Sequence, residues 1–179
     1  MPRPRLGYVG ALRGENDIAL LVETAGGNPD WSIVLVGPNC LKSNSCFSKM
    51  LTRDNVFWAG EVEPENLPGY ILSLDVGLLP YRSIEYNRAV FPIKFCEYLS
   101  QGVPVVGYGV PSTAKYTEKG VYLHVKREFF QEACKEALSW SGGGDPYVAK
   151  PIKLAQDAVW EHKLATMLEK VKEGLYAPY

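Results

Sequence analysis

Short apolar segments alternate with amphipathic segments along most of the chain. Six segments have the length and apolar content of buried strands: residues 6–10, 32–37, 55–60, 75–79, 104–107 and 121–124. Between them, apolar residues recur at helical spacing, as in Ile18, Leu21, Val22 and Ala25. Strands that alternate with helices form βαβ units. The pattern therefore predicts an α/β fold: a doubly wound, mostly parallel six-stranded sheet with helices on both faces.

Further helices are predicted around residues 67–74, over residues 91–101 and over residues 130–138. A Gly-rich connection, residues 141–146, precedes another apolar helix face between Trp160 and Val171. A chain of 179 residues suffices for one well-buried domain and is too short for two. We expect a single domain, with an α/β core over residues 1–140 and a flexible connection and C-terminal helices over residues 141–179.

Composition excludes several classes of function. The formal net charge of −1 argues against a uniformly basic nucleic-acid surface. No apolar run approaches the length of a membrane span, and the N-terminus has no stretch typical of a signal peptide. The four cysteines contain no Cys-x-x-Cys pair, so we expect reduced thiols and no metal site. Neither histidine lies near a cysteine in the sequence. These features favour a cytoplasmic protein that binds neither nucleic acid nor a membrane directly.

Ligands of doubly wound sheets bind beyond the carboxyl ends of the strands. After the first strand, small residues from Gly10 to Gly14 leave backbone amides accessible, and Arg13 can meet a phosphate. The glycine spacing differs from the dinucleotide fingerprint Gly-x-Gly-x-x-Gly, and no acid follows the second strand. A nicotinamide-binding domain is therefore disfavoured. After the third strand, Gly60, Glu61 and Val62 offer mainly backbone groups.

The segment after the fourth strand carries the most distinctive chemistry. Residues 80–90 lead into a helix whose start bears Lys94, with Arg82 and Arg88 nearby in the sequence. A lysine in the first turn opposes the helix dipole unless an anion lies close by. Glu97, one turn further on, can accept hydrogen bonds from two ribose hydroxyls. Spacing alone also allows Lys94 and Glu97 to form an ordinary surface ion pair.

Several of these segments together resemble one family. They are Gly7–Gly10, Pro29–Pro38, Asn55–Gly60, Leu67–Tyr70, Asp75–Tyr81, Pro92–Leu99 and Gly102–Val106. In this order and spacing, they are similar to the C-terminal domain of group-1 glycosyltransferases with the two-domain B fold. The resemblance covers nearly the whole chain. It implies that this chain is the half that binds a nucleotide sugar, UDP- or GDP-linked, for transfer of the sugar without a metal ion.

The resemblance also assigns roles to residues. Glu97 matches the glutamate that holds the ribose, and the start of the helix at Ile93 and Lys94 matches the amides that cradle the diphosphate. Arg13 adds positive charge, and backbone around Gly60 holds the base. The full set expected to bind the donor is Gly10, Arg13, Gly60, Glu61, Val62, Tyr81, Arg88, Ile93, Lys94 and Glu97. No residue is indicated as catalytic.

Two departures from the family pattern leave parts of the function open. Many members carry a second glutamate eight residues before the ribose glutamate, where this chain has Ala89. Pro92–Tyr98 fits a branch with the signature Pro-x-Lys-x-x-Glu-Tyr, which leaves the donor sugar and the stereochemical outcome open. The domain expected to hold the acceptor, and usually the catalytic groups, precedes this half in the family, and we expect that it is not part of this chain.

We expect a hexosyltransferase-like enzyme of polysaccharide or glycoconjugate biosynthesis, with this chain inactive on its own. The alternative is a non-catalytic nucleotide-sugar-binding module or one subunit of a split enzyme. A receiver-type signalling domain is disfavoured, because Val9–Leu12 contains no acidic pair at the end of the first strand. The base, the acceptor and the oligomeric state are left open by the sequence.

Overall fold

The computed structural model describes residues 1–41, 45–141 and 145–157. Its strands are β1 (Arg5–Val9), β2 (Ser32–Val36), β3 (Val56–Trp58), β4 (Val76–Pro80), β5 (Val105–Tyr108) and β6 (Tyr122–His124). They form one sheet in the order β3-β2-β1-β4-β5-β6. Every neighbouring pair is parallel. The predicted doubly wound α/β sheet is confirmed, and all of its described strand pairs are parallel.

Helices cover both faces of this sheet. They are α1 (Ile18–Gly27), α2 (Ser45–Met50), α3 (Leu67–Leu72), α4 (Glu85–Ala89), α5 (Ile93–Ser100), α6 (Phe130–Leu138) and α7 (Asp145–Asp157). One apolar core lies between the sheet and α1, α2 and α6, and it includes Leu21, Phe47 and Phe130. The other lies between the sheet and α3, α5 and α7, and it includes Ile71 and Phe95. Strand β2 is buried throughout and apolar from Ile33 to Val36, and its side chains face both cores.

The structure differs from the sequence prediction in its short helices and in two boundaries. Helices α2 and α4, of six and five residues, are too short to show a helical period in the sequence. Helix α5 begins after Pro92, which keeps an extended backbone, rather than at Phe91. Helix α7 begins at Asp145, inside the predicted connection, because proline is tolerated in a first turn. The helix predicted between Trp160 and Val171 lies outside the described residues.

One buried tyrosine joins the two central strands to α5. Strands β1 and β4 pair at Leu6–Val76 and Gly7–Gly77. Beyond these pairs, the hydroxyl of Tyr98 accepts a hydrogen bond of 2.7 Å from the backbone amide of Val9. The Tyr98 ring lies over Gly77, where an added Cβ would come within 2.6 Å of it. Because the Tyr98 side chain is fully buried, this contact fixes where α5 lies relative to the end of β1.

We predict that Tyr98→Phe lowers the free energy of unfolding by about 1–3 kcal/mol, because the Val9 amide is left buried without its partner. Urea denaturation monitored by circular dichroism measures the change. Tyr116→Phe is the matched control, because the Tyr116 ring packs on Phe95 while its hydroxyl has no hydrogen-bond partner among the described residues. Equal stability losses in the two variants would contradict the role of the Tyr98 hydroxyl.

Candidate functional site

A cleft opens at the carboxyl edge of the sheet between β1 and β4, where the strand order reverses. This is the position at which open α/β sheets bind ligands. The cleft has a volume of about 260 Å³, and we call it the switch-point cleft. Its lining residues are Tyr8, Ala11, Arg13, Glu15, Asn16, Tyr81, Tyr86, Asn87, Val90 and Lys94.

Two loops form the walls of the switch-point cleft, and hydrogen bonds join them. The loop after β4 meets the loop after β1 through Asp17 N and Pro80 O, 2.7 Å apart, and through Arg82 N and Glu15 O, 2.9 Å apart. The side-chain amide of Asn87 donates to Glu15 O at 3.0 Å and to Arg82 O at 2.7 Å. The two walls are therefore held together before any ligand arrives.

Three glycines with positive φ line the carboxyl ends of β1, β2 and β3. They are Gly10, Gly37 and Gly60, with φ values of 147°, 131° and 73°. An added Cβ at Gly37 would overlap the backbone of Gly10, so the two loops approach more closely than a side chain allows. The amide of Gly37 donates to Gly60 O at 2.7 Å. The three glycines therefore form a row from the switch-point cleft to the end of β3.

Positive charge at the cleft comes from Arg13, Lys94 and the start of α5. An added Cβ at Gly10 would overlap the side chain of Lys94, so the aliphatic part of Lys94 lies against Gly10. No side chain caps the N-terminus of α5. The amides of Ile93 and Lys94 have no hydrogen-bond partner in the described part of the chain. Free amides at a helix N-terminus attract anions.

Glu97 lies one turn beyond Lys94 on α5 and is half-buried. Within the described ranges, neither Lys94 nor Glu97 makes an ion pair. The alternative interpretation, in which these two residues form a surface ion pair, is therefore not supported. Arg13 and Glu15 are also without an ion pair among the residues described. The cleft thus presents charged groups whose partners are not supplied by the described chain.

Two tyrosines form the inner end of the cleft. The rings of Tyr8 and Tyr81 meet edge to face, with centroids 6.4 Å apart. Burial raises the pKa of Tyr81, and the neighbouring Tyr8 and the carboxylates of Glu97 and Glu15 raise it further. Burial also raises the pKa of Tyr8, against the opposing effects of Asn16, Tyr81 and Arg13. Both hydroxyls therefore stay protonated at neutral pH, and Tyr8 donates to Ala11 O at 3.2 Å.

The remaining residues of the predicted set lie in other places. Glu61 and Val62 line a separate cleft of about 670 Å³ beside Tyr70. Arg88 is not brought to the switch-point cleft: it lines a third cleft of about 480 Å³ next to His124. Its guanidinium instead forms an exposed ion pair with Glu85 at 3.1 Å. Of the ten predicted residues, Arg13, Tyr81 and Lys94 line the switch-point cleft, and Gly10 lies against the side chain of Lys94.

Seven lining residues were not in the predicted set: Tyr8, Ala11, Glu15, Asn16, Tyr86, Asn87 and Val90. Asn16 directly precedes the residue that caps α1, so its position fits an ordinary helix start. Asn87 lies in the short helix α4, which the sequence pattern did not reveal. Tyr8 lies in an apolar strand segment and is indistinguishable from a core residue in the sequence.

Three further features bear on the chemistry. In the described part of the chain, no three His, Cys, Asp or Glu side chains are grouped so that they could hold a metal ion. The four cysteines all lie within the described ranges and form no disulfides; Cys134 is buried, and Cys40 and Cys46 are exposed. Across the ranges that the structure describes, no helix has the length and apolar character needed to cross a membrane.

The chain matches one protein family and one curated relative. The model of the family described as "Glycosyl transferases group 1" matches residues 1–141. A putative teichuronic acid biosynthesis glycosyltransferase, TuaH, of Bacillus subtilis (strain 168) is 36% identical over 158 residues. That match covers 87% of this chain and 40% of TuaH.

Solved structures are similar in fold. Sucrose-phosphate synthase from Thermosynechococcus elongatus matches with a TM-score of 0.72 at 17% identity, over 97% of this chain and 45% of that protein. HepE from Anabaena, in complex with UDP and glucose, matches with a TM-score of 0.68 at 14% identity, over 98% of this chain and 49% of HepE. The chain thus spans less than half the length of each of these relatives.

We predict that Gly10→Ala lowers the free energy of unfolding by about 1–3 kcal/mol, because φ at this position is positive and the new methyl group displaces Lys94. Urea denaturation measures the change. Gly14→Ala is the control in the same loop, because an added Cβ there meets nothing within 4 Å. If both variants match the wild-type chain in stability, the close approach of Lys94 to Gly10 is wrong.

Proposed function

The chain belongs to the group 1 glycosyl transferases, and we propose that it is the domain that binds the nucleotide-diphosphate sugar donor. The observation that carries the proposal is the unpaired positive charge of Arg13 and Lys94 beside the uncapped N-terminus of α5. An anionic ligand satisfies all three at once. The location supports the same conclusion, since the cleft lies where the strand order reverses.

The diphosphate binds between the two loops. In this arrangement, the amides of Ile93 and Lys94 donate to phosphate oxygens, while the Lys94 ammonium and the Arg13 guanidinium approach from the Gly10 loop. When the bond between the sugar and the diphosphate breaks, negative charge accumulates on the departing nucleoside diphosphate. The same amides and cations stabilise that charge, which is the largest contribution such a fixed site can make to the reaction.

The nucleoside lies towards β2 and β3. Glu97 accepts hydrogen bonds from the two ribose hydroxyls, because its half-buried carboxylate has no partner of its own in the described chain. The row of glycines leads as far as Gly60, where Glu61 and Val62 hold the base. Tyr81 supports the inner end of the cleft. Arg88 does not contact the donor in this proposal, because it lines a different cleft.

The acceptor binds to a part of the enzyme other than this chain. The chain corresponds to 40% of TuaH, 45% of sucrose-phosphate synthase and 49% of HepE. We propose that a second domain, on the same or a separate polypeptide, supplies the acceptor site and the remaining catalytic groups. The similarity to a protein of teichuronic acid biosynthesis supports a cytoplasmic enzyme that builds a polysaccharide or glycoconjugate. The UDP complex of HepE makes UDP the first nucleotide to test.

We predict that one of UDP and GDP binds to the chain and that Glu97→Gln and Lys94→Met each weaken this binding by about 10- to 100-fold, because each removes a charged hydrogen-bonding partner. Isothermal titration calorimetry of wild-type chain and variants measures the dissociation constants. Glu132→Gln is the matched control, because Glu132 is exposed on α6 at the opposite face of the sheet. A folded chain that binds neither nucleotide, or variants that bind as the control does, would overturn the proposal.

A further inference from the structure

Two buried side-chain atoms at the switch-point cleft lack hydrogen-bond partners. They are Nδ2 of Asn16 and Oδ1 of Asn87, and they are the two such atoms found among the described residues. Asn16 is 4% exposed and Asn87 is fully buried, and both residues line the cleft. A buried polar atom without a partner costs about 1–3 kcal/mol of stability. An arrangement that leaves one donor and one acceptor unsatisfied in the same cleft therefore needs an explanation.

The other polar atom of each carboxamide is already hydrogen-bonded. Exchanging the oxygen and nitrogen positions of either side chain would therefore not satisfy the unpaired atom. Oδ1 of Asn16 accepts a 2.9 Å hydrogen bond from the backbone amide of Arg13. Nδ2 of Asn87 donates to the backbone carbonyls of Glu15 and Arg82. Reversing either side chain would set a donor against a donor or an acceptor against acceptors. The Asn16 amide lies near the Tyr8 hydroxyl and lowers its pKa, yet no hydrogen bond of normal geometry joins them.

A hydroxyl group is the simplest partner for this pair. It accepts a hydrogen bond from Nδ2 of Asn16 and donates one to Oδ1 of Asn87, whereas a phosphate oxygen at neutral pH offers acceptors alone. The cleft also contains Arg13 and Lys94, which the proposed function assigns to the diphosphate. The group attached to the diphosphate on the side away from the nucleoside is the sugar, and its hydroxyls are of the required chemistry.

We propose that Asn16 and Asn87 together bind a hydroxyl group of the sugar that is transferred, and so select the donor sugar. This inference rests on the proposed function. The two residues reach the sugar from different loops, which the hydrogen bonds of Asn87 hold together. A sugar without a hydroxyl at that position leaves both buried atoms unpaired, and sites built in this way reject such analogues strongly.

The test compares the affinity for the nucleotide with the affinity for the nucleotide sugar. Wild-type chain and Asn16→Ser are titrated with UDP, UDP-glucose, UDP-galactose, UDP-N-acetylglucosamine, GDP and GDP-mannose. Serine can still accept the hydrogen bond from Arg13 N, while the amide donor is lost. We expect Asn16→Ser to bind the nucleoside diphosphate within about 2-fold of wild type and the preferred nucleotide sugar about 10-fold more weakly.

Monodeoxy analogues of the preferred nucleotide sugar complete the test. In wild type, removal of one particular hydroxyl weakens binding by at least about 10-fold. In Asn16→Ser, removal of that same hydroxyl has a much smaller effect, because the two changes disrupt one interaction. The hydroxyl that is removed belongs to the nucleotide sugar. The deoxy analogues therefore also show that the asparagines bind the transferred sugar and not a hydroxyl of the molecule that receives it.

The outcomes separate this inference from the proposed function. If neither nucleotide binds to the folded chain, both fall. If UDP or GDP binds but the nucleotide sugar loses no affinity in Asn16→Ser, the asparagine pair does not bind the sugar and the inference alone falls. Should Asn16→Ser fail to fold, the deoxy analogues are decisive on the wild-type chain, where equal affinity for every analogue would overturn the inference.

Discussion

The hydrogen bond from the Val9 amide to the Tyr98 hydroxyl is the contact on which the candidate site depends. It lies between β1 and β4, where the ladder of backbone hydrogen bonds ends and the two loops diverge. Gly77 leaves room for the Tyr98 ring to lie against the sheet. By holding α5 against the end of β1, this contact brings the helix N-terminus and Lys94 to the Gly10 loop. The anion-binding groups come from distant parts of the sequence and meet because one buried side chain fixes their relative positions.

The charges at this edge are not balanced by the described protein itself. Elsewhere on the surface, Arg127 pairs with both Asp17 and Glu23, and Arg88 pairs with Glu85. Arg13, Lys94 and Glu97, by contrast, make no ion pair in the ranges described. Surface ion pairs contribute little to stability, so the difference matters mainly for what each region can bind. Unpaired cations near a free helix N-terminus, with an unpaired carboxylate one turn away, suit a ligand that carries both phosphates and hydroxyls.

The sequence pattern was sufficient to predict the sheet and most of the helices, because buried strands and amphipathic helices have distinct periods. The start of α5 could also be predicted to within two residues, and Lys94 in its first turn indicated a nearby anion, since a cation is unfavourable there without one. The contact between Tyr98 and Val9 could not, because the two residues are 89 positions apart and each looks like a core residue. Arg88 shows the limit of proximity in sequence: it is six residues from Lys94, but it lies in the short helix α4 and lines another cleft. Asn16 and Asn87 became visible through the polar atoms that the fold leaves without partners.

Binding of a nucleoside diphosphate at the switch-point cleft is tested most directly by chemical-shift perturbation, which maps where UDP and GDP bind on the ¹⁵N-labelled chain. We expect the largest shifts at the amides of Ile93 and Lys94 and at the residues from Gly10 to Arg13, with smaller shifts near Gly60. Shifts confined to the cleft beside Arg88 and His124, with the start of α5 unchanged, would contradict this expectation.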